Sequence, residues 1–172
     1  MNTHIGGRRS SLMATLSDPV RLVISVALTL LVGFAGSFFT APQISGWYAG
    51  LAKSPLNPPA WVFGPAWTIL FILMGVSLFL IWREGTGRPE VRVALLAFGV
   101  QLVLNVLWSA LFFGLQSPFL GFLEIVLLWC AILATIVLSA RVSKAAAWLL
   151  LPYILWVSFA AYLTWSVWTL NP

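Results

Sequence analysis

Charged and catalytic side chains are scarce in this chain of 172 residues. Only 8% of the residues are charged, and the chain has a single histidine and a single cysteine. The lone Cys130 excludes an internal disulfide, and Cys130 and His4 cannot assemble a metal cluster of Cys and His ligands. The long apolar segments contain no Ser-His-Asp set and no pair of carboxylates. The sequence therefore excludes a disulfide scaffold, a Cys/His metal centre and an enzyme of ordinary polar catalysis.

Apolar residues dominate the composition. They make up 61% of the chain, which is too much for a soluble domain of this size to cover with polar surface. The net charge is +5, but the basic residues form no arginine-rich array on a soluble face, so nucleic acid is not an expected partner. The composition therefore predicts that the apolar surface of the folded protein is in contact with a lipid bilayer.

Five apolar runs are long enough to cross that bilayer. A hydrocarbon core about 30 Å thick needs roughly 20 apolar residues for each helical crossing. After a polar basic tail at residues 1–21, the runs cover residues 22–41, 65–82, 93–115, 119–140 and 145–168. Barrel strands would be shorter and would alternate in polarity, and no cleavage site follows the first run. The sequence predicts an all-α integral membrane protein, a single bundle of five transmembrane helices.

The basic residues predict how the bundle is oriented. Eight of the nine fall on one side of this topology, in the tail and in the second and fourth loops. Only Lys53, in the first loop, falls on the other side. Because positively charged loops tend to stay in the cytoplasm, we expect a cytoplasmic amino terminus. The carboxyl terminus and the first loop are then expected on the opposite side.

The first loop, KSPLNPPAWVFGPAW, is rich in proline and tryptophan. Proline fixes one backbone angle and biases the residue before it towards extended geometry, so the segment is predicted to be stiff. Pro65 is placed to be the first residue of helix two, where a missing N–H costs nothing. An interfacial aromatic belt is one interpretation, and a lid over a cavity is the other. The lid residues are predicted to be Trp47, Lys53, Pro55, Pro58, Pro59 and Trp61.

Helical spacing favours the lid, because aromatic side chains fall on one face of three helices. Three apolar faces with an amide could enclose a flat ligand and give it a hydrogen bond. The stripes are Trp67, Phe71 and Met74 in helix two, Gln101, Asn105, Trp108 and Phe112 in helix three, and Trp156, Ala160 and Leu163 in helix five. Helix packing is the alternative for the aromatic residues, and interhelical hydrogen bonding is the alternative for the two amides. Glu124, the only acid within the runs, is a functional candidate by default, but it lies only about five residues into its run, so a structural role is the preferred interpretation.

Long motifs in this order resemble one known family. The stretches are WYAGLAKSPLNPPAWVFGPAWTILFILMG (47–75), QLVLNVLWSALFFG (101–114) and LLPYILWVSFAAYL (150–163). They resemble the translocator protein or tryptophan-rich sensory protein family (TspO/MBR), over all five helices. The resemblance implies a membrane receptor or carrier, commonly a homodimer, that binds porphyrins such as protoporphyrin IX and haem. In eukaryotic members it also implies sterol and benzodiazepine-type ligands.

By motif position, the resemblance assigns roles to individual residues. Tyr48 is the loop tyrosine near the ligand, Trp67 and Phe71 are pocket aromatics, and Asn105 is the amide that contacts a ligand carbonyl. Trp156 and Ala160 form the wall from helix five. Trp67 and Trp156 are also the candidate catalytic residues, because the resemblance links them to light-dependent breakdown of protoporphyrin. No cofactor is required in this interpretation, since the porphyrin or haem is the ligand.

Some positions depart from the family pattern. Leu56 stands where the loop usually has tryptophan before its two prolines, and no basic residue follows Tyr162, so the sterol pattern proposed for the carboxyl end is incomplete.

Tetrapyrrole binding for sensing, transport and stress signalling is the leading functional hypothesis. The alternatives are light-dependent or oxidative degradation of a bound porphyrin and small-molecule export.

Overall fold

A computed structural model describes residues 16–172, and every regular element in that range is helical. The helices are α1 (Asp18–Ile44), α2 (Trp47–Gly50), α3 (Ala60–Trp82), α4 (Pro89–Ser109), α5 (Pro118–Ala140), α6 (Lys144–Leu149) and α7 (Leu151–Leu170). A π-helical segment, Ala110–Gly114, continues α4 without a break. Residues 1–15 of the predicted tail lie outside the described residues, and residues 18–21, which were also assigned to the tail, belong to α1.

Five helical stretches are long and apolar enough to cross a membrane, which confirms the predicted fold class. They are Asp18–Ile44, Ala60–Trp82, Pro89–Gly114, Pro118–Ala140 and Lys144–Leu170. The fifth stretch consists of α6 and α7, which meet at Leu150. Pro152 stands in the first turn of α7, where its missing N–H removes no helical hydrogen bond.

The second crossing begins earlier than the sequence predicts. Helix α3 starts at Ala60, so Pro65 lies inside the helix and is not its first residue. The first turn is instead closed by the Val62 N–H, which donates to the Pro59 carbonyl at 3.0 Å. Pro65 then leaves the carbonyl four residues before it, that of Trp61, without an intrahelical donor. This gap lies in the turn nearest the loop, where Trp61 is 74% exposed.

Two glycines, Gly33 of α1 and Gly75 of α3, allow these helices to approach closely. A Cβ added to Gly75 would lie 2.5 Å from the Cα of Val26, and one added to Gly33 would lie 2.4 Å from the ring of Phe71. The Thr29 hydroxyl donates to the Phe71 carbonyl at 2.7 Å across the same contact. The two helices therefore touch backbone to backbone between these levels.

The packed core and the open space of the bundle occupy different halves. The main cluster of buried apolar side chains runs from Leu70 to Ile81 in α3, from Val91 to Leu102 in α4 and from Ala146 to Ala160 in α6 and α7, and it includes Ile125, Leu128 and Ile132 of α5. Most of this cluster lies towards the end of the bundle that carries Arg83, Arg92 and Lys144, which we call the basic end. The opposite end, which carries the first loop, is called the loop end.

Candidate functional site

A cavity of about 550 Å³ lies in the loop half of the bundle. Its volume is within the range of about 300–1,000 Å³ that is typical of small-molecule sites. Four of the five crossings and the short helix α2 contribute to its walls. The lining residues from α4, its π-helical continuation and α7 are Asn105, Trp108, Ser109, Phe112, Phe113, Ala160, Leu163, Thr164 and Val167.

Aromatic rings form two broad faces of this cavity. Trp67 stacks on Phe71 with ring centroids 5.6 Å apart and planes at 29°. Trp108 stacks on Phe112 at 5.3 Å and 15°, and Phe113 meets Phe112 edge-on at 4.8 Å. Stacked pairs of this kind present flat apolar surface, which is the surface that a planar ligand requires.

One amide brings hydrogen-bonding capacity to these apolar walls. The Asn105 Nδ2 donates to the Tyr153 hydroxyl at 2.9 Å, and that hydroxyl donates to Gln101 Oε1 at 3.0 Å. Tyr153 and Gln101 are fully buried, so this network fixes the orientation of Asn105 from behind. An amide has two N–H donors and an accepting oxygen. Asn105 therefore keeps one N–H and its oxygen for a ligand.

The roof of the cavity comes from α2. Tyr48 lines the cavity, and its hydroxyl donates to Asn57 Oδ1 at 2.9 Å. The ammonium of Lys53 lies over the Tyr48 ring, 4.7 Å from its centroid. Burial raises the pKa of the Tyr48 hydroxyl, and the hydrogen bond with Asn57 offsets part of that rise. Tyr48 is thus a neutral, oriented ring at neutral pH.

The rest of the first loop is fastened to the end of α7. The Ala52 N–H donates to Asn171 Oδ1 at 3.0 Å, and Asn171 Nδ2 donates back to the Ala52 carbonyl at 3.0 Å. The hydroxyls of Ser54 and Tyr162 share a further hydrogen bond of 3.0 Å. We call these contacts the α7 latch. They hold the loop in one position above the bundle.

Seven of the nine predicted ligand-binding residues line the cavity, and two do not. The seven are Tyr48, Trp67, Phe71, Asn105, Trp108, Ala160 and Leu163. Gln101 is displaced from the cavity because it is fully buried as the acceptor of the Tyr153 hydroxyl. Trp156 does not line the cavity because its ring packs edge-on against Phe63 of α3, 6.0 Å away, and lines a separate groove between α3 and α7.

The structure separates the two candidate catalytic tryptophans. Trp67 faces the cavity, whereas Trp156 lines the separate groove between α3 and α7. The sequence-based prediction placed Trp156 and Ala160 on the same face of the fifth helix, because they are four residues apart. The predicted stripe on α7 therefore lies in two environments. Ala160 lines the cavity, whereas Trp156, one turn closer to the basic end, packs against α3.

Among the predicted lid residues, only Trp61 lines the cavity. Trp47 packs edge-on against Phe112, with centroids 5.6 Å apart, and so supports the wall from outside. Lys53 contacts the roof through Tyr48, and its ammonium also donates to the Leu51 carbonyl at 2.9 Å. Pro55, Pro58 and Pro59 belong to the connection between the latch and α3. The lid is thus mainly α2, and the proline stretch is its support.

Sequence reasoning missed the wall that α1 contributes. Its residues on the cavity are Leu30, Gly33, Phe34, Gly36, Ser37, Thr40, Ala41 and Ile44. Small side chains at positions 33, 36, 37 and 41 leave space beside the helix. The Gly33 and Ser37 pair was visible in the sequence, but that spacing indicates close helix packing as readily as a cavity.

Glu124 is buried in α5 without lining the cavity. It is 5% exposed, and neither carboxylate oxygen has a hydrogen-bond partner within residues 16–172. It is therefore separated from any ligand that the cavity holds. In the same part of the chain, no group of three His, Cys, Asp or Glu side chains is placed to hold a metal ion.

Comparison with known proteins agrees with this architecture. A model of the TspO/MBR family matches residues 25–169. The chain is a member of the TspO/MBR family. It is similar to the tryptophan-rich protein TspO of Chlorobaculum tepidum, with 50% identity over 151 residues, 88% of this chain and 96% of that protein.

Relatives of this TspO/MBR protein occur in other domains of life. The tryptophan-rich protein TspO of Archaeoglobus fulgidus is 47% identical over 88% of this chain and 97% of its own length. The translocator protein of Homo sapiens is 39% identical over 80% of this chain and 82% of its own length. Membership in this family supports an integral, multi-pass membrane protein with a sensory or translocator role.

Proposed function

We propose that this protein binds porphyrins and related tetrapyrroles, such as protoporphyrin IX and haem, in the cavity beneath α2. Binding would serve tetrapyrrole sensing or transport and stress signalling. The observation that carries the proposal is a cavity of about 550 Å³ with stacked aromatic faces and a single oriented amide. A planar apolar macrocycle with polar substituents matches this combination of surfaces.

The arrangement suggests how such a ligand is held. The macrocycle would lie against the rings of Trp67 and Trp108, where burial of apolar area stabilises it. Asn105 would donate its free N–H to a ligand carbonyl or carboxylate. Lys53 is the basic side chain nearest the roof, and its positive charge favours anionic groups at the loop end. No protein-bound cofactor takes part in this mechanism.

Titration of the purified protein with protoporphyrin IX tests the proposal. We expect saturable quenching of tryptophan fluorescence together with a shift of the porphyrin band. Trp67→Phe should remove part of the quenching, because Trp67 faces the cavity. Trp148→Phe is the matched control, since Trp148 is 69% exposed near the basic end. Quenching that does not saturate, or that falls equally in both variants, would exclude a site in the cavity.

Other ligands and assemblies follow from family membership as further proposals. Benzodiazepine-type drugs and sterols would use the same apolar walls, and competition with protoporphyrin IX would reveal them. A homodimer is the proposed assembly. Light-dependent porphyrin degradation would rest on Trp67, because Trp156 does not line the cavity. Export driven by an intramembrane acid would rest on Glu124, which does not line the cavity.

A further inference from the structure

The walls of the cavity differ sharply in exposure. On the side of α4 and α7, Asn105, Phe112 and Leu163 are at most 7% exposed. On the side of α1 and α3, Phe34 is 62% exposed and Trp61 is 74% exposed. The remaining exposed lining residues on that side are Leu30, Ser37, Ala41, Ile44, Ala60, Gly64 and Thr68. The cavity is therefore closed at the back and open between α1 and α3.

The opening exists because α1 and α3 separate after their close contact. Helix α1 touches α3 at Gly33, and beyond that level it leans towards α4. A Cβ on Gly36 would lie 3.2 Å from the Ser109 hydroxyl, and one on Gly114 would lie 3.0 Å from the Phe39 ring. On the α3 side of the opening, by contrast, a Cβ on Gly64 would meet nothing within 4 Å.

The same cavity is covered at the loop end. Tyr48 forms the roof, and the α7 latch holds the following loop through Asn171 and Ser54. Access from water would require these hydrogen bonds to break. Access between α1 and α3 requires no bond to break, because Ser37 and Thr68 donate their hydroxyl hydrogens within their own helices.

We propose that ligands enter and leave the cavity sideways, through the gap between α1 and α3, from the half of the bilayer nearest the first loop. This portal is formed by Ser37 and Ala41 of α1 and by Ala60, Gly64 and Thr68 of α3. The inference rests on the proposed function, since it concerns the ligand of that cavity. It also narrows the ligand class to molecules that partition into lipid before they bind.

Gly64→Leu tests the portal, because Gly64 lines the gap and a Cβ added there would meet nothing within 4 Å. The matched control is Gly99→Leu, since Gly99 is exposed on α4 and also has nothing within 4 Å of an added Cβ. The protein is reconstituted in lipid vesicles that carry protoporphyrin IX. Association and dissociation rates are measured from tryptophan quenching and its recovery. Ser37→Leu provides a second variant, which narrows the gap from the α1 side.

We expect Gly64→Leu and Ser37→Leu to slow association and dissociation together, on the order of tenfold, with little change in Kd. Gly99→Leu should leave both rates unchanged. Asn171→Ala, which removes two of the three hydrogen bonds of the latch, should also leave them unchanged. Unaltered rates in both portal variants, or a lower affinity with an unaltered association rate, would overturn the portal. Faster rates in Asn171→Ala would instead indicate access from water, and absence of binding in the unmodified protein would overturn the proposed function itself.

Discussion

Asn105 occupies the position where the buried network of the protein reaches the cavity. Its Nδ2 is committed to Tyr153, which is held in turn by Gln101. A donor that is oriented before the ligand arrives loses little freedom on binding. The amide is therefore suited to discriminate between ligands that carry an acceptor and those that lack one.

Asn105→Ala should lower the affinity for protoporphyrin IX by about 1–3 kcal/mol, because a ligand acceptor would be left buried without its partner. Helix content by circular dichroism should stay the same. Gln43→Ala is the control, since the Gln43 amide accepts a hydrogen bond from Gln116 at an exposed position and does not line the cavity. Equal affinities for Asn105→Ala and the unmodified protein would assign Asn105 to interhelical hydrogen bonding alone.

Tyr48 should make the stability of the roof depend on alkaline pH. Because burial raises the pKa of its hydroxyl above the ordinary value of 10.0, the folded protein holds this proton more tightly than the unfolded chain. The stabilisation is then complete below pH 10 and is lost as the pH rises through the folded pKa. Thermal melts between pH 8 and about 12 should show this loss. Tyr48→Phe should reduce it, whereas a pH response that is identical in both proteins would contradict the assignment.

At the scale of elements, the crossing of α1 and α3 depends on Gly75. A Cβ there would lie 2.5 Å from the Val26 backbone, so Gly75→Ala must push the helices apart. We expect a loss of about 1–3 kcal/mol of unfolding free energy, as is typical of overpacking. Gly99→Ala, in open space, should be neutral or slightly stabilising, since alanine favours helix. Unfolding in detergent measures both, and a stable Gly75→Ala protein would mean that this contact is easily adjusted.

The crossings could be predicted because each one is a long run of apolar residues, a property that is local in sequence. Helix α2 and the α7 latch could not be predicted, because they depend on pairs such as Ala52 with Asn171 that are distant in the chain. The early start of α3 was also hidden, since Pro65 resembles a first residue and is tolerated inside the helix. For the site, helical spacing identified the face of α3 with Trp67 and the face of α4 with Asn105, and both line the cavity. It could not show that the cavity on α7 includes Ala160 but not Trp156.

For the whole molecule, most of the packed core and the proposed binding site lie in opposite halves. The buried cluster around Met74, Phe98 and Tyr153 fills the basic half, and the cavity occupies the loop half. Tyr153 belongs to the cluster, and its hydroxyl accepts a hydrogen bond from Asn105. It therefore connects the packed core to the cavity. Substitutions among the cavity residues should therefore affect ligand affinity more than folding, except where they reach this tyrosine.

The orientation of the whole molecule remains a prediction from its charges. Among the described residues, Arg21, Arg83, Arg92 and Arg141 lie at the basic end, and Lys53 lies at the loop end. We expect the basic end in the cytoplasm. Reporter fusions at both termini would check this: the amino-terminal fusion should report the cytoplasm and the fusion after Pro172 the opposite side. A cytoplasmic signal from the carboxyl-terminal fusion would contradict the proposed topology.

The π-helical segment Ala110–Gly114 makes the direction of the following chain sensitive to the loss of a single residue. Here the Leu115 N–H donates to the Ala110 carbonyl at 2.8 Å, five residues back, so the turn holds one residue more than an α-helical turn. Deleting any one of these five residues would restore α-helical pairing. All later positions would then turn by about 100° relative to the preceding helix, including the bend at Gln116, whose φ is 51°. A single-codon deletion would thus redirect the α4–α5 connection and reshape the binding cavity while leaving the number and hydrophobicity of the crossings intact.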